Sequence, residues 1–312
     1  MSDPRSRVAR TEWTLPFEPP YDWEALILFL SARAVPGLEV AEPGRYLRTF
    51  SLAGESGAFE VRPGVGNQLR VTIWYSDPDL CPEILRRVGQ ICGTDQHVGK
   101  VLTHFAADPV LGPLVRQRPG LRIPGAWDPF EVAVRAMAGQ QISVQAATSL
   151  VGRIVRLFGQ RVSWPDGEPE LAQLTRVFPS AAEMGGRDLF EAGMPQARLA
   201  ALENMASTAA GDSSLFEPSP TRLRRLTSLP GLGDWTVQYI AMRAFRDPDA
   251  FPAADVVLRR VFGGGPQSRV TVSTLLKLAE RWRPYRAFAV MHVWIGEADA
   301  ARRKVKVRAA GA

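Results

Sequence analysis

The chain has 312 residues, 46% of them hydrophobic, with 38 Lys and Arg against 32 Asp and Glu, a formal net charge of +6. That length and apolar share can bury a large core, split over two or three modules. There is no run of about eighteen apolar residues, residues 1–10 are polar and charged, and the only cysteines are Cys81 and Cys92. A membrane span, a secretory signal and a cysteine-held metal or iron–sulfur cluster are therefore excluded, and a cytoplasmic protein is expected. A pI of about 9.7 permits a polyanionic partner without proving one.

Taken in chain order, residues 1–11 read as a disordered end and residues 12–22 as an extended, proline-rich stretch. Asp22 then caps an amphipathic helix over 23–33. From 46 to 76 the hydrophobic period becomes two, and YLRTFSLA, GAFEVRPG and LRVTIWYS read as antiparallel strands joined by glycine turns. Helices follow over 78–93 and 94–107; the first holds both cysteines, expected as buried thiols rather than a disulfide. The first hundred residues thus form an α+β module, and no motif in it carries chemistry.

Residues 117–127, rich in Arg, Pro and Gly, read as a linker. Asp128-Pro129-Phe130-Glu131 supplies a cap, a proline at the first helical position and an acid at the third, so a helix is expected to about residue 138. Gly139-Gln140-Gln141-Ile142 breaks it, and Ser143 caps the next helix, ending near 159. Short helical patterns continue, and from 128 onward the chain reads as all-helical.

The sharpest stretch is residues 229–260. LPGLGD (229–234) is a tight turn between a short helix over 218–228 and a helix that Asp234 is expected to cap, with Trp235, Val237, Ile240, Ala241 and Ala244 on its buried face. Gly231 and Gly233 are expected at positive φ, leaving amides unshielded at a helix N-terminus, which is a site for a phosphate. Asp255 stands alone in an apolar setting at the start of another helix. By itself it reads equally as a helix cap or as a working acid. Trp235 and Tyr239, four apart on one helix, read as core or as the wall of a pocket. Three further helices are expected, over 255–262, 272–282 and 284–296. The tail 301–312, with Arg302, Arg303, Lys304, Lys306, Arg308 and no acid, reads as a solvated, disordered end or as a weak grip on phosphates.

The hairpin and its following acid resemble the helix-hairpin-helix DNA glycosylases. The likeness to the DNA-3-methyladenine glycosylase II type runs through PPYDW at 19–23, RPGLRIPG at 118–125, GQ-IS around Gln140, GMPQAR at 193–198, the hairpin, RWRPYR at 281–286 and HVW at 292–294. The resemblance implies an α+β fold: an N-terminal antiparallel-sheet domain (1–103), then two all-α domains (128–246, and 104–127 with 247–312) with the active-site cleft between them.

It also implies chemistry. A base buried in a duplex must be flipped out before it can be attacked. By resemblance, Gly231, Gly233, Asp234 and Thr236 hold the DNA backbone, and Gln141 is the tip of a wedge where the family carries leucine. Asp255 is the catalytic acid, with Trp235, Tyr239, Trp294 and Phe29 lining a pocket that takes alkylated, cationic purines by stacking. The family's pocket tyrosine after that acid is Val256 here. Relatives that also nick the strand have a lysine where this chain has Trp235, so the expected activity is a monofunctional hydrolase acting on 3-methyladenine and 7-methylguanine in double-stranded DNA. A glycosylase with lyase activity and a non-catalytic binding module are the alternatives. No catalytic metal or cofactor is expected, since His97, His104 and His292 have no ligand spacing; His292 reads as a core histidine. The carbonyls of Thr227, Leu229 and Leu232 would hold a structural Na+ or K+, if one binds. A monomer without membrane contact, associated with the nucleoid if bacterial, completes the expectation.

Overall fold

Antiparallel pairing organises the N-terminal module. The computed structural model describes residues 8–264 and 268–310, with backbone alone for 306–310. Its strands are β1 (Ala9–Pro16), β2 (Glu39–Glu42), β3 (Arg45–Leu52), β4 (Glu55–Pro63) and β5 (Gln68–Tyr75), in the spatial order β1–β5–β4–β3–β2. Two of these depart from the sequence reading. The end expected to be disordered is a strand from Ala9 onward, paired with β5 along its whole length from Ala9↔Tyr75 to Pro16↔Gln68; residues 1–7 lie outside the described residues. The physical reason is that the edge of β5 would otherwise carry a row of unpaired backbone groups. β2, only four residues long, is too short to show a period.

The sheet is covered on both faces. Tyr46, Phe50, Phe59, Val61, Val71 and Ile73 point into the main core against α1 (Trp23–Ser31) and α2 (Cys81–Cys92). Leu47, Ala58 and Trp74, one residue out of phase, pack instead on Leu171 and Leu174. Asp22 caps α1 by accepting from the Ala25 N–H at 2.8 Å, and the six residues Ala25 to Leu30 are all buried. Cys81 and Cys92 are free and buried at the two ends of α2, and burial pushes the Cys92 thiol up to about 12.

Two short helices, α3 (Val98–Phe105) and α4 (Leu111–Gln117), lead into residues 118–127. The stretch read as a linker is an internal strut, not an exposed tether. Leu121, Arg122 and Ile123 are buried, and the Gln96 side chain brackets Ile123, donating to its carbonyl at 2.7 Å and accepting from its N–H at 2.9 Å.

Beyond it, the chain is helical apart from a bridge between Arg161 and Arg176 and another between Gly37 and Leu174. Asp128 caps α5 (Pro129–Ala138), accepting from Phe130 N–H at 2.7 Å, and Ser143 caps α6 (Val144–Phe158). Then come α7 (Ala181–Met184), α8 (Gln196–Gly211), α9 (Pro220–Ser228), α10 (Asp234–Arg243), α11 (Val256–Val261), α12 (Val272–Ala279) and α13 (Arg286–Ala310). The last helix runs well past residue 296, through the tail expected to be disordered. Ala, Arg and Lys are strong helix formers, and no Gly or Pro interrupts 297–310.

Candidate active site

Two loops meet at the surface of the helical half. In the turn between α9 and α10, Gly231 has φ +78° and lies so close to α8 that a Cβ there would stand 2.6 Å from the Ala201 Cβ. Gly233 has φ −68°, so positive φ holds for Gly231 alone. Asp234 does not cap α10. Gly233 occupies the cap position, Asp234 is the first helical residue, and no side chain caps the first amides. Those uncapped amides, beside exposed Gly231 and Gly233, can take an anion. The Thr236 side chain is buried at 2% exposure. It accepts from the Gln140 amide at 3.0 Å. The loop between α5 and α6 carries Gln141 exposed at its tip with φ +60°.

Asp255 caps a helix and at the same time faces the aromatic residues. Its Oδ1 accepts from the Val257 and Leu258 N–H groups at 2.9 and 3.0 Å, capping α11. The same carboxylate also receives two indoles: Trp294 Nε1 donates to Oδ1 at 3.1 Å and Trp235 Nε1 to Oδ2 at 3.2 Å. Oδ1 therefore has three donors and Oδ2 one, which leaves Oδ2 with lone-pair capacity for a further partner. The rings continue as a wall. Trp235 stacks on Tyr239 with centroids 5.4 Å apart and planes 16° from parallel, and Tyr239 meets Trp294 at 6.1 Å. Val256 is half exposed, so the position after the acid adds no ring to this wall.

A cavity of about 1140 Å³ runs between these elements, lined by Gln141, Trp235, Tyr239, Asp255, Trp294 and Phe29 among others. Residues of the helical half and of the sheet module thus share one cleft. Phe29 is buried, and the guanidinium carbons of Arg33 and Arg243 lie 3.8 and 4.4 Å from its ring centroid. Phe29 thus lines the cavity with two guanidiniums over its ring. Arg243 also donates to the Tyr239 hydroxyl at 2.9 Å. Burial raises the Tyr239 pKa, but the nearby Arg243 and Arg33 outweigh it and bring the phenol below its ordinary value. Neither arginine was singled out in the sequence, although each stands four residues after an aromatic, Tyr239–Arg243 within α10 and Phe29–Arg33 from α1 into the turn that follows it.

A buried ion network forms another part of the lining. Arg48 on β3 pairs with Glu131 at 2.8 Å, Glu131 with Arg135 at 2.9 Å, and Arg135 with Glu39 at 2.6 Å. The Tyr46 hydroxyl donates to Glu39 at 2.8 Å. This network joins the sheet to α5, the helix that ends at the Gln141 loop. A second cavity of about 1210 Å³, beside α6, holds neither the acid nor the rings. Among the described residues no group of three or more His, Cys, Asp or Glu could hold a metal ion, and no helix is long and apolar enough to cross a membrane. His292 is buried, and burial alone lowers its pKa to about 3.

Residues 12–128 match the family model described as the AlkA N-terminal domain. The chain is 31% identical over 292 residues to DNA-3-methyladenine glycosylase 2 of Escherichia coli (strain K12), covering 91% of this chain and 97% of that protein. It belongs to the DNA-3-methyladenine glycosylase 2 family. As a member it is a DNA glycosylase of alkylation repair, and an enzyme. In fold it is similar to a 3-methyladenine DNA glycosylase from Archaeoglobus fulgidus, with a TM-score of 0.77 at 22% identity over 91% of this chain and 97% of that one. It is also similar to an 8-oxoguanine glycosylase/lyase of Clostridium acetobutylicum solved with double-stranded DNA (TM-score 0.69, 14% identity, 90% and 93% covered). DNA is accordingly the partner of this family member.

Proposed function

We propose that this glycosylase removes alkylated purines, 3-methyladenine and 7-methylguanine, from double-stranded DNA by monofunctional hydrolysis, acting as a monomer. The observation that carries the reading is the Asp255 carboxylate, held by an indole N–H on each oxygen within a ring-walled cleft. The uncapped amides of α10 would bind a phosphate of the damaged strand, and Gln141 would fill the space left when the nucleotide is flipped. The rings that would receive the base are Trp235, Tyr239 and Trp294, with Phe29 behind two guanidiniums in the same lining. The C1′–N bond breaks with both electrons going to the cationic purine, which leaves neutral. The Asp255 carboxylate stabilises the positive charge that develops on the sugar, and it takes the proton of the water whose oxygen joins C1′.

Strand cleavage by an amine is disfavoured because the residue after the hairpin is Trp235, and none of the lysines in the sequence lines the cavity among the described residues. A non-catalytic binding module would need neither the acid nor the paired indoles. For a monovalent cation, Thr227 sits in the last turn of α9 and the Leu229 carbonyl already accepts from Leu232 N–H at 3.2 Å. These carbonyls, with that of Leu232, would be the ones to hold a structural Na+ or K+, and no step of the reaction runs through it. The test is base release from methylated duplex DNA by the wild type and by Asp255→Asn. Free methylated purines from the wild type, largely lost in the variant while DNA binding persists, support the assignment. Equal release by both would make Asp255 a helix cap only, and a borohydride-trapped adduct on DNA would overturn the monofunctional reading.

A further inference from the structure

Gln140, next to the wedge tip, bonds to the hairpin rather than reaching outward. Its Nε2 donates to the Gly231 carbonyl at 2.7 Å and to the Thr236 hydroxyl at 3.0 Å. The orientation of the amide is fixed by chemistry, because the Gly231 carbonyl can only accept. Both ends of this link are firmly seated. Gly231 is packed on α8, and Thr236 is buried in the first turn of α10. On the wedge side, the Gln140 N–H bonds the Met137 carbonyl at 3.3 Å, and the Ser143 hydroxyl accepts from Ala146 N–H at 3.2 Å. Gln141 therefore stands between two fixed points, in a left-handed conformation that a residue with a Cβ keeps only when its surroundings impose it.

We propose that Gln140 is a positioning residue that makes phosphate capture by the hairpin and insertion of the Gln141 wedge a single event. A hairpin seated on the DNA backbone fixes where Gly231 stands relative to the duplex, and the two bonds to Gln140 set the residue immediately before the tip from that point. Without them the loop keeps its capping bond at Ser143 and the packing of α5 on α10, but loses the hydrogen bonds that join it to the hairpin. The inference rests on the reading of Gln141 as the wedge.

A double-mutant cycle tests it, using Gln140→Ala, Gln141→Ala and the pair. Base flipping is followed by the fluorescence of 2-aminopurine placed beside a lesion, affinity is measured on undamaged duplex, and thermal midpoints are recorded for each protein. Loss of two neutral hydrogen bonds should slow flipping by roughly 10- to 100-fold in Gln140→Ala. Affinity for undamaged duplex should stay near wild type, because the hairpin amides are untouched. The decisive result is the pair: if Gln140 acts through the wedge, the double variant flips no more slowly than Gln141→Ala alone. A residue that merely stabilises the fold would give additive losses with parallel falls in melting temperature and affinity, which would overturn the proposal, as would wild-type flipping in Gln140→Ala. Wild-type flipping in Gln141→Ala with slow flipping in Gln140→Ala would instead remove the wedge reading of Gln141. Should Gln140→Ala fail to fold, Gln140→Glu keeps the volume, offers no donor to the Gly231 carbonyl and is read in the same cycle.

Discussion

Trp235 and Asp255 are twenty residues apart in the chain, and the indole N–H of the first donates to Oδ2 of the second at 3.2 Å. The tryptophan is thus both a wall of the cleft and a brace for the acid. Trp235→Phe keeps an aromatic ring and removes the N–H, so it separates the two roles. Single-turnover base release should fall roughly 10- to 100-fold, the scale of one hydrogen bond to a charged group, with little change in affinity for the lesion. Asp255→Asn should cost more, about 100- to 1000-fold, since it removes the charge itself. A Trp235→Phe enzyme that binds lesions poorly but turns them over normally would show that the indole matters only as a surface.

The two glycines of the hairpin should behave differently. At Gly231, φ of +78° and an Ala201 Cβ only 2.6 Å from any new Cβ both oppose alanine. Gly231→Ala should lose about 2 kcal/mol of stability or more, with displacement of the turn. At Gly233, φ is −68° and a Cβ would meet nothing within 4 Å. Gly233→Ala should melt within about 1 kcal/mol of wild type, yet bind DNA more weakly because its methyl group stands among the amides offered to the phosphate. Thermal melts and duplex titrations on the two proteins check both statements.

Glu131 is the centre of the ion network in the cleft. Its burial raises its pKa, but Arg48 and Arg135 outweigh that and hold the carboxyl below its usual range. Glu131→Gln leaves Arg48, itself buried, without its ion pair. The expected loss is about 3–5 kcal/mol in a denaturant titration, larger than that of an exposed ion pair by several-fold.

His292 gives the fold a defined sensitivity to acid. Burial lowers its pKa to about 3, and its Nδ1 has no hydrogen-bond partner, so the folded imidazole is neutral over most of the acid range. Unfolded, the ring titrates near 6.5. Above that pH neither state holds the proton and the residue has no effect. As pH falls from about 6.5 toward 3, the unfolded chain takes up a proton that the fold refuses, and stability drops by about 1.4 kcal/mol per pH unit from this residue. Urea unfolding at pH 7 and pH 5 should show the difference in the wild type, and His292→Leu should remove that part of it. An unchanged slope in the variant would mean that the ring reaches solvent in the folded protein.

Local signals located most of the elements correctly, because they rest on interactions within a few residues. The Asp22, Asp128 and Ser143 caps, the period-two strands from residue 46 and the hairpin between two helices each involve a backbone and its neighbours. The failures have the opposite character. β1 is a strand because β5 has an edge to fill, and residues 120–125 are buried, with Gln96 bonded to Ile123. The partners of Thr236 and Phe29, Gln140 for one and Arg33 with Arg243 for the other, were likewise not legible along the chain.

The sequence by itself determined the family, the α+β plan and the residues that could carry the chemistry, since spacing and residue type are properties of a linear chain. Only the tertiary structure decided how Asp255 is held, which rings remain open to a base, and that the wedge loop is tied to the hairpin. Those are contacts between elements separated by twenty to more than two hundred residues, and their distances and competing partners are set by packing. A carboxylate between two indoles is a relation among three helices, and it comes into being only when the chain folds.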